Sequence, residues 1–389
     1  MAPPGRVFLA AAAALLVTAG CSIGGFPEIP NAPEGGGGNT STPSTGVGGG
    51  GAGGGSSSGA GGDALAPVLV GISPTPASSA GMPAPVAEIE AELTTLAAGA
   101  RAAVLVLPWD ELAASDGADL AKIAAFYAGH GKRISISVAV VDRMVDRRPA
   151  ALDGFAWSAP ETITAMKATL DSLFEITGDE VRFVTFGRDA DIYLQAHPDE
   201  RAGFVAFAKA ACAYIKVHPD APADVEVGVG FTTEAPKNET AFKDLIDFQD
   251  VVAFSYFPGM SAPGQAAAAD VASTVTKLAD AAGKKRIVLT GAGLASDPVA
   301  GGSEDAQQKF FATLFGAVAA RRESFALVNV VELNDAPDDA CAAWAESQGD
   351  APGGPLTAYA CSMGLFRDDG TPRPAWSTVL SGSAALSTP

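Results

Sequence analysis

From residue 66 onward the chain alternates two hydrophobic patterns. Short, nearly continuous apolar runs occur at 66–72 (APVLVGI), 102–108 (AAVLVLP), 133–141 (RISISVAVV) and 181–187 (VRFVTFG). Four more follow at 224–231 (DVEVGVGF), 250–257 (DVVAFSYF), 286–290 (RIVLT) and 326–333 (ALVNVVEL). Between them lie longer Ala-rich stretches, such as PVAEIEAELTTLAAGA and EDAQQKFFATLFGAVAARR, with apolar residues at helical spacing. Apolar strands alternating with helices predict a parallel sheet whose outer face is covered. Eight such units are the number a closed (β/α)8 barrel needs. A doubly wound open sheet is the alternative, but the first run continues as SPTP and not as a Gly-rich nucleotide turn.

In such a barrel the chemistry sits just beyond the C-terminal ends of the strands. Those positions hold Ser73, Trp109-Asp110-Glu111, Asp142-Arg143 and Arg188-Asp189-Ala190-Asp191 in the first half. The second half supplies Thr232-Thr233-Glu234, Tyr256-Phe257-Pro258, Gly291 and Glu332 to Asp335. The set is rich in carboxylates and aromatics and poor in Lys and His, which suits an oligo- or polysaccharide. Carboxylates accept hydrogen bonds from sugar hydroxyls, and aromatic faces offer apolar area. Trp109, Tyr256 and Phe257 are the expected stacking surfaces. Asp110, Asp142, Asp189 and Asp191 are the expected acceptors, with Arg188 beside them. His130, His197 and His218 have no second ligand at metal spacing, so neither a metal nor a cofactor is expected.

Before residue 63 the pattern is different. Arg6 precedes the apolar run VFLAAAAALLVTAGC, too short for a comfortable membrane span. With Ala19 and Gly20 before Cys21, it reads as a lipoprotein signal over 1–20 whose cleavage leaves a lipidated Cys21. The acyl chains would hold the protein on a bacterial cell envelope, the only membrane contact expected. Residues 21–62 are dominated by Gly, Ser, Thr and Pro and form a tether of about 35 Å root-mean-square length. The barrel then occupies 63–385. The formal charge of -19 becomes -20 once Arg6 leaves with the signal, a balance that disfavours nucleic acid. Outside the cytoplasm Cys341 and Cys361 can close a disulfide worth about 3 kcal/mol, while Cys212 sits in a helical pattern as a small buried apolar residue.

Four segments, taken in order, resemble a known family. FGRDADIYLQAHPDERAGF, VVAFSYFP, RIVLTGAGLASDPVAGGSEDAQQKFF and CSMGLFRDDGTPRPAW are similar to the fourth, sixth and seventh strand regions and the closing segment of retaining barrel glycosidases. The nearest of these are the endo-β-1,4-galactanases and their relatives. The likeness is strong from the fourth strand to the C-terminus and weak before it. Such enzymes place an acid/base carboxyl after the fourth strand and a nucleophilic one after the seventh, about 5–5.5 Å apart. The resemblance puts the family's Asn on Arg188, its acid/base Glu on Asp189 and its nucleophilic Glu on Gly291. All three are departures.

Asp for Glu shortens the reach by roughly one bond, and misplacements near 1 Å cost about 10²-fold. Glycine at the nucleophile position removes the covalent route, a loss on the order of 10⁶-fold. Glu332 and Glu234 are the carboxylates that could substitute, in an inverting arrangement about 6.5–9.5 Å from Asp189. Three readings follow: a glycan-binding pseudo-glycosidase, an active glycosidase with relocated carboxylates, and a structural barrel with a filled mouth.

Overall fold

A computed structural model describes residues 67–77, 84–115, 117–260, 270–351, 353–367 and 369–388. The expected signal, Cys21 and the tether lie outside the described residues. Among the described residues no helix is long and apolar enough to cross a membrane.

The eight apolar runs are the eight strands of a closed barrel: β1 (Leu69–Ile72), β2 (Ala102–Pro108), β3 (Arg133–Asp142), β4 (Val181–Arg188), β5 (Glu226–Thr232), β6 (Val251–Tyr256), β7 (Arg286–Ala292) and β8 (Phe325–Val330). Every neighbouring pair is parallel, and the ring closes where β8 pairs with β1 (Leu69 opposite Leu327). That closure excludes the open doubly wound sheet. A two-residue strand, Val145–Asp146, folds back antiparallel on the end of β3.

The helices cover the barrel as their periodicity demands. In α1 (Pro160–Thr177), Met166, Leu170, Leu173, Phe174 and Thr177 are buried at three- and four-residue spacing, and proline opens the helix where its missing N–H costs nothing. In α2 (Arg201–Ile215), Phe204, Phe207, Ala208, Ala211, Cys212 and Ile215 face inward, so Cys212 is the buried free thiol its pattern predicted. The helix after β7, α3 (Glu304–Ala320), begins at Ser303, whose hydroxyl accepts from the Ala306 N–H, with Glu304 and Asp305 in its positive first turn.

Two features shape the mouth. Between β8 and the closing segment the chain inserts two short helices, Asp338–Ser347 and Pro355–Ala360, joined by a Cys341–Cys361 disulfide with the α-carbons 5.5 Å apart. This insert builds its own apolar cluster around Trp344, Tyr359 and Met363, and Phe257, Met260 and Val331 from the barrel rim pack into it. The closing segment is then pinned by Arg373, which forks onto Asp335 at 2.8 and 2.5 Å in a buried pair. Gln307 of α3 adds three bonds from its Nε2, to the carbonyls of Leu294, Met363 and Gly364.

The second feature is the barrel's axis. Near the mouth the inward positions include the small or polar Ser137, Gly230, Thr290 and Asn329 beside Val104 and Val106, while Phe183, Val251, Val288 and Leu327 form a buried apolar cluster on the same strands. A side chain at residue 71 would collide with Asn329, whose Oδ1 lies 2.6 Å from the position its Cβ would take. The small residues leave a narrow shaft at the mouth.

Candidate functional site

The shaft opens at the C-terminal end of the barrel as a cavity of about 40 Å³. That is room for about three water-sized groups, well short of the 300 Å³ or more typical of a complete small-molecule pocket. Its walls bring together Arg188 and Asp189 from the end of β4, Ser255 and Phe257 from β6, Gly291 from β7 and Glu332 beyond β8.

Asp189 is almost fully buried. It accepts from the Ser255 hydroxyl and pairs with Arg143 Nη1 at 3.1 Å. Arg143 also places Nη1 3.6 Å from Met260 Sδ, and its backbone N–H donates to the Arg188 carbonyl at 2.9 Å. Asp189 and Arg143 share an unusual backbone: both sit at φ 54°, in the left-handed region that L-residues enter at a cost. The two strained residues face each other across the β3–β4 seam and are joined by their own ion pair.

Gly291 presents the opposite case. The pairing of β6 with β7 skips a residue, running from Phe254 opposite Leu289 to Ser255 opposite Gly291. This bulge turns both Thr290 and Gly291 toward the shaft. The space a side chain would need there is taken: a Cβ on Gly291 would lie 2.9 Å from Phe257 Cζ and 3.2 Å from Val331 Cγ2. The position is both unarmed and plugged.

Glu332 points inward, 1% exposed. The Thr75 hydroxyl donates to its Oε2 at 2.6 Å, and its Oε1 has no partner among the described residues. Burial pushes its carboxyl up to about 8, against the stabilising bond from Thr75. At neutral pH this group is mostly an uncharged acid.

Several expected site residues stand elsewhere. Trp109 is wholly buried in the core, stacked near Phe207 at 5.7 Å and donating from Nε1 to Thr169, so it offers no surface to a ligand. Tyr256 points outward to the helix layer, its ring 5.4 Å from Phe310, because strand alternation gives the inward position to Ser255 and Phe257. Glu234 lies exposed on a loop, paired with Lys237, and does not line the cavity. Asp110 is ion-paired to Arg147 at 3.1 Å on the rim. Asp191 is half-buried, accepting from the Thr232 N–H at 2.8 Å and its hydroxyl at 2.5 Å, and is pushed up to about 6 by desolvation and by the neighbouring Asp189. Asp142 is buried as well, with Arg188 Nη1 3.6 Å away, and burial holds its carboxyl above the usual range. Arg143, Ser255, Thr75 and Met363 complete the site, and the sequence reading assigned none of them a role. Only Ser255, two positions before Phe257 on one strand, carried a signal that alternation could have shown.

No family model and no curated protein matches the chain. Solved structures do. The glycoside hydrolase GH5_18 from Streptomyces cattleya, in complex with GlcNAc, superposes with a TM-score of 0.63 at 13% identity, over 84% of this chain and 82% of that one. An exo-β-1,4-mannosidase from Opitutaceae bacterium strain TAV5 gives 0.62 at 13% identity, over 83% of this chain and 60% of that one. The GH53 catalytic domain from Ignisphaera aggregans gives 0.52 at 18%, over 73% and 86%. The fold is the glycoside-hydrolase-like (β/α)8 barrel.

Proposed function

We propose that this protein is an envelope-anchored barrel, built on the glycoside-hydrolase plan, that binds a carbohydrate at its mouth without cleaving it. One observation carries the reading: position 291, where the resemblance puts the nucleophile, is a glycine that offers no carboxyl, and a Cβ there would crowd Phe257 and Val331. Asp189, at the acid/base position, is engaged by Arg143 and Ser255. A carboxyl that can only protonate a leaving group, with nothing opposite to attack the anomeric carbon, does not complete a retaining reaction. Carbohydrate as the ligand is supported by the hydroxyl, carboxyl and guanidinium groups around one exposed phenyl edge. It is supported further by fold neighbours solved with GlcNAc and with Manβ1-4GlcNAc. Attachment through Cys21 rests on the signal-like N-terminus alone.

The test is a glycan array run beside a hydrolysis screen on aryl β-glycosides and β-galactans. Binding with product release at background rates is expected. Robust turnover would overturn the reading.

One observation favours a second reading. Asp189 and Glu332 line the same cavity, and burial pushes the Glu332 carboxyl up to about 8. Two carboxyls in unlike environments are the pattern of an acid/base pair. If the chemistry has moved to them, Glu332→Gln abolishes the turnover seen in the screen.

A further inference from the structure

Arg188 is the one guanidinium in the mouth whose donors are unspent. It carries five N–H groups, its side chain is 13% exposed, and its closest acid is Asp142 at 3.6 Å, beyond hydrogen-bond distance. Among the described residues its side chain makes no hydrogen bond. Its nitrogens are not sealed off either, since none is among the fully buried atoms lacking a partner, and the residue lines the cavity. A mostly desolvated cation with open donors costs free energy until an acceptor arrives. Arg143, one strand away, shows the contrast, because its guanidinium is committed to Asp189.

On the far wall Glu332 also lines the cavity, but its Oε1 is fully buried and its Oε2 accepts from Thr75, so it offers the ligand no open donor. Asp189 is ion-paired with Arg143 and accepts from the Ser255 hydroxyl, which leaves Arg188 paired with Asp142 alone, at 3.6 Å and without a hydrogen bond.

From this geometry we propose that the cavity receives the carboxylate of an acidic sugar, with Arg188 as its charge partner. The volume agrees: about 40 Å³ accepts a planar three-atom group and leaves the sugar ring outside, against Phe257. The planar fork of arginine matches a carboxylate, and such charge-assisted bonds are among the strong ones. The inference rests on the carbohydrate reading above and names the class of sugar.

Titration calorimetry of the full protein with oligogalacturonate, the matching neutral galactan fragment and a sulfated analogue tests it. Uronate oligosaccharides are expected to bind at least tenfold tighter than neutral ones, and Arg188→Gln is expected to erase that difference. Arg188→Lys, which keeps the charge but not the fork, should retain part of the preference and serves if the Gln variant does not fold. Equal binding of neutral and acidic sugars, unaffected by Arg188→Gln, overturns the inference and leaves the carbohydrate reading standing. Preference for the sulfated analogue overturns the carboxylate assignment. Binding of no sugar at all overturns both.

Discussion

The ends of β4 and β7 face one cavity and build its wall in opposite ways. At β4 the wall is polar. Asp189 is buried, paired with Arg143 and bonded by Ser255, and both Asp189 and Arg143 hold left-handed backbone. At β7 the wall is the glycine Gly291, with Phe257 and Val331 packed close to it. The first arrangement costs free energy, because buried ions and positive-φ residues are each unfavourable unless their neighbours compensate. The second costs little, because apolar packing against glycine is what a core does anyway. A costly polar arrangement beside a cheap apolar one makes the β4 side, where Arg188 stands, the part of the wall to test for ligand binding.

The largest effect expected from this contrast concerns catalysis. A nucleophile is worth on the order of 10⁶-fold in rate, so native hydrolysis should stay at background. Restoring the pair by Gly291→Glu with Asp189→Glu should not recover it, since the new side chain meets Phe257 at once. Adding Phe257→Ala to that pair should give measurable release from aryl β-glycosides. Activity in the double variant without the Phe257 change would show that packing is not the barrier at β7.

Next in size is the pH dependence set by Glu332. Its folded pKa is about 8 against an ordinary 4.5, so the folded state holds a proton that the unfolded chain has already released. Stability from this group is therefore full below about pH 4.5 and declines until about pH 8, by a few kcal/mol. Asp142 and Asp191 are raised too and tilt the curve the same way at lower pH. Denaturant melts of Glu332→Gln across pH 4 to 9 should lose most of the decline and be more stable than the native protein at pH 8. A slope identical to that of the native protein would refute burial as its source.

Smaller again is the contribution of the insert. Cys341→Ser with Cys361→Ser should lower stability by about 3 kcal/mol and loosen Met363 and Phe257 at the cavity wall, both of which pack in the insert's cluster. Faster hydrogen exchange over 290–294 in the variant is the accompanying readout. Unchanged exchange there would separate the insert from the plugging of β7.

How much of this was legible in the chain differs by level. All eight strands lie within two or three residues of their apolar runs, because a strand buried on both faces leaves an unbroken hydrophobic signature. The positions at the mouth followed from strand ends, and Asp189, Gly291, Glu332 and Phe257 do meet there. Trp109 and Tyr256 did not join them. An aromatic at a strand end reads alike whether it faces ligand or helix, and only register decides. The bulge at Thr290 and the reach of Arg143 across from β3 are tertiary facts without a local pattern. The crowding at Gly291 depends on Phe257 and Val331, which stand 34 and 40 residues from it in sequence and are brought to one point only by the fold.

The smallest expected effect is also the most direct probe of the β7 side. Gly291→Ala adds one methyl group 2.9 Å from Phe257 Cζ and 3.2 Å from Val331 Cγ2, closer than side-chain carbons pack. Glycine 291 does not sit at positive φ, so alanine meets no backbone penalty there and gains slightly by restricting the unfolded chain, about 0.4–1 kcal/mol. Against that stands an overpacking cost of about 1–3 kcal/mol, moderated because the ring's far edge can tilt away. The net expectation is a loss of about 1 kcal/mol. In a Phe257→Leu background the shorter side chain withdraws the colliding atom, and the same methyl group should be neutral or stabilising. The double-mutant cycle therefore carries the answer, with a coupling of about 1 kcal/mol expected between residues in contact. Strict additivity would mean that the Phe257 ring does not close the vacant position, and the distinction between a polar β4 side and a sealed β7 side would fail at its second half.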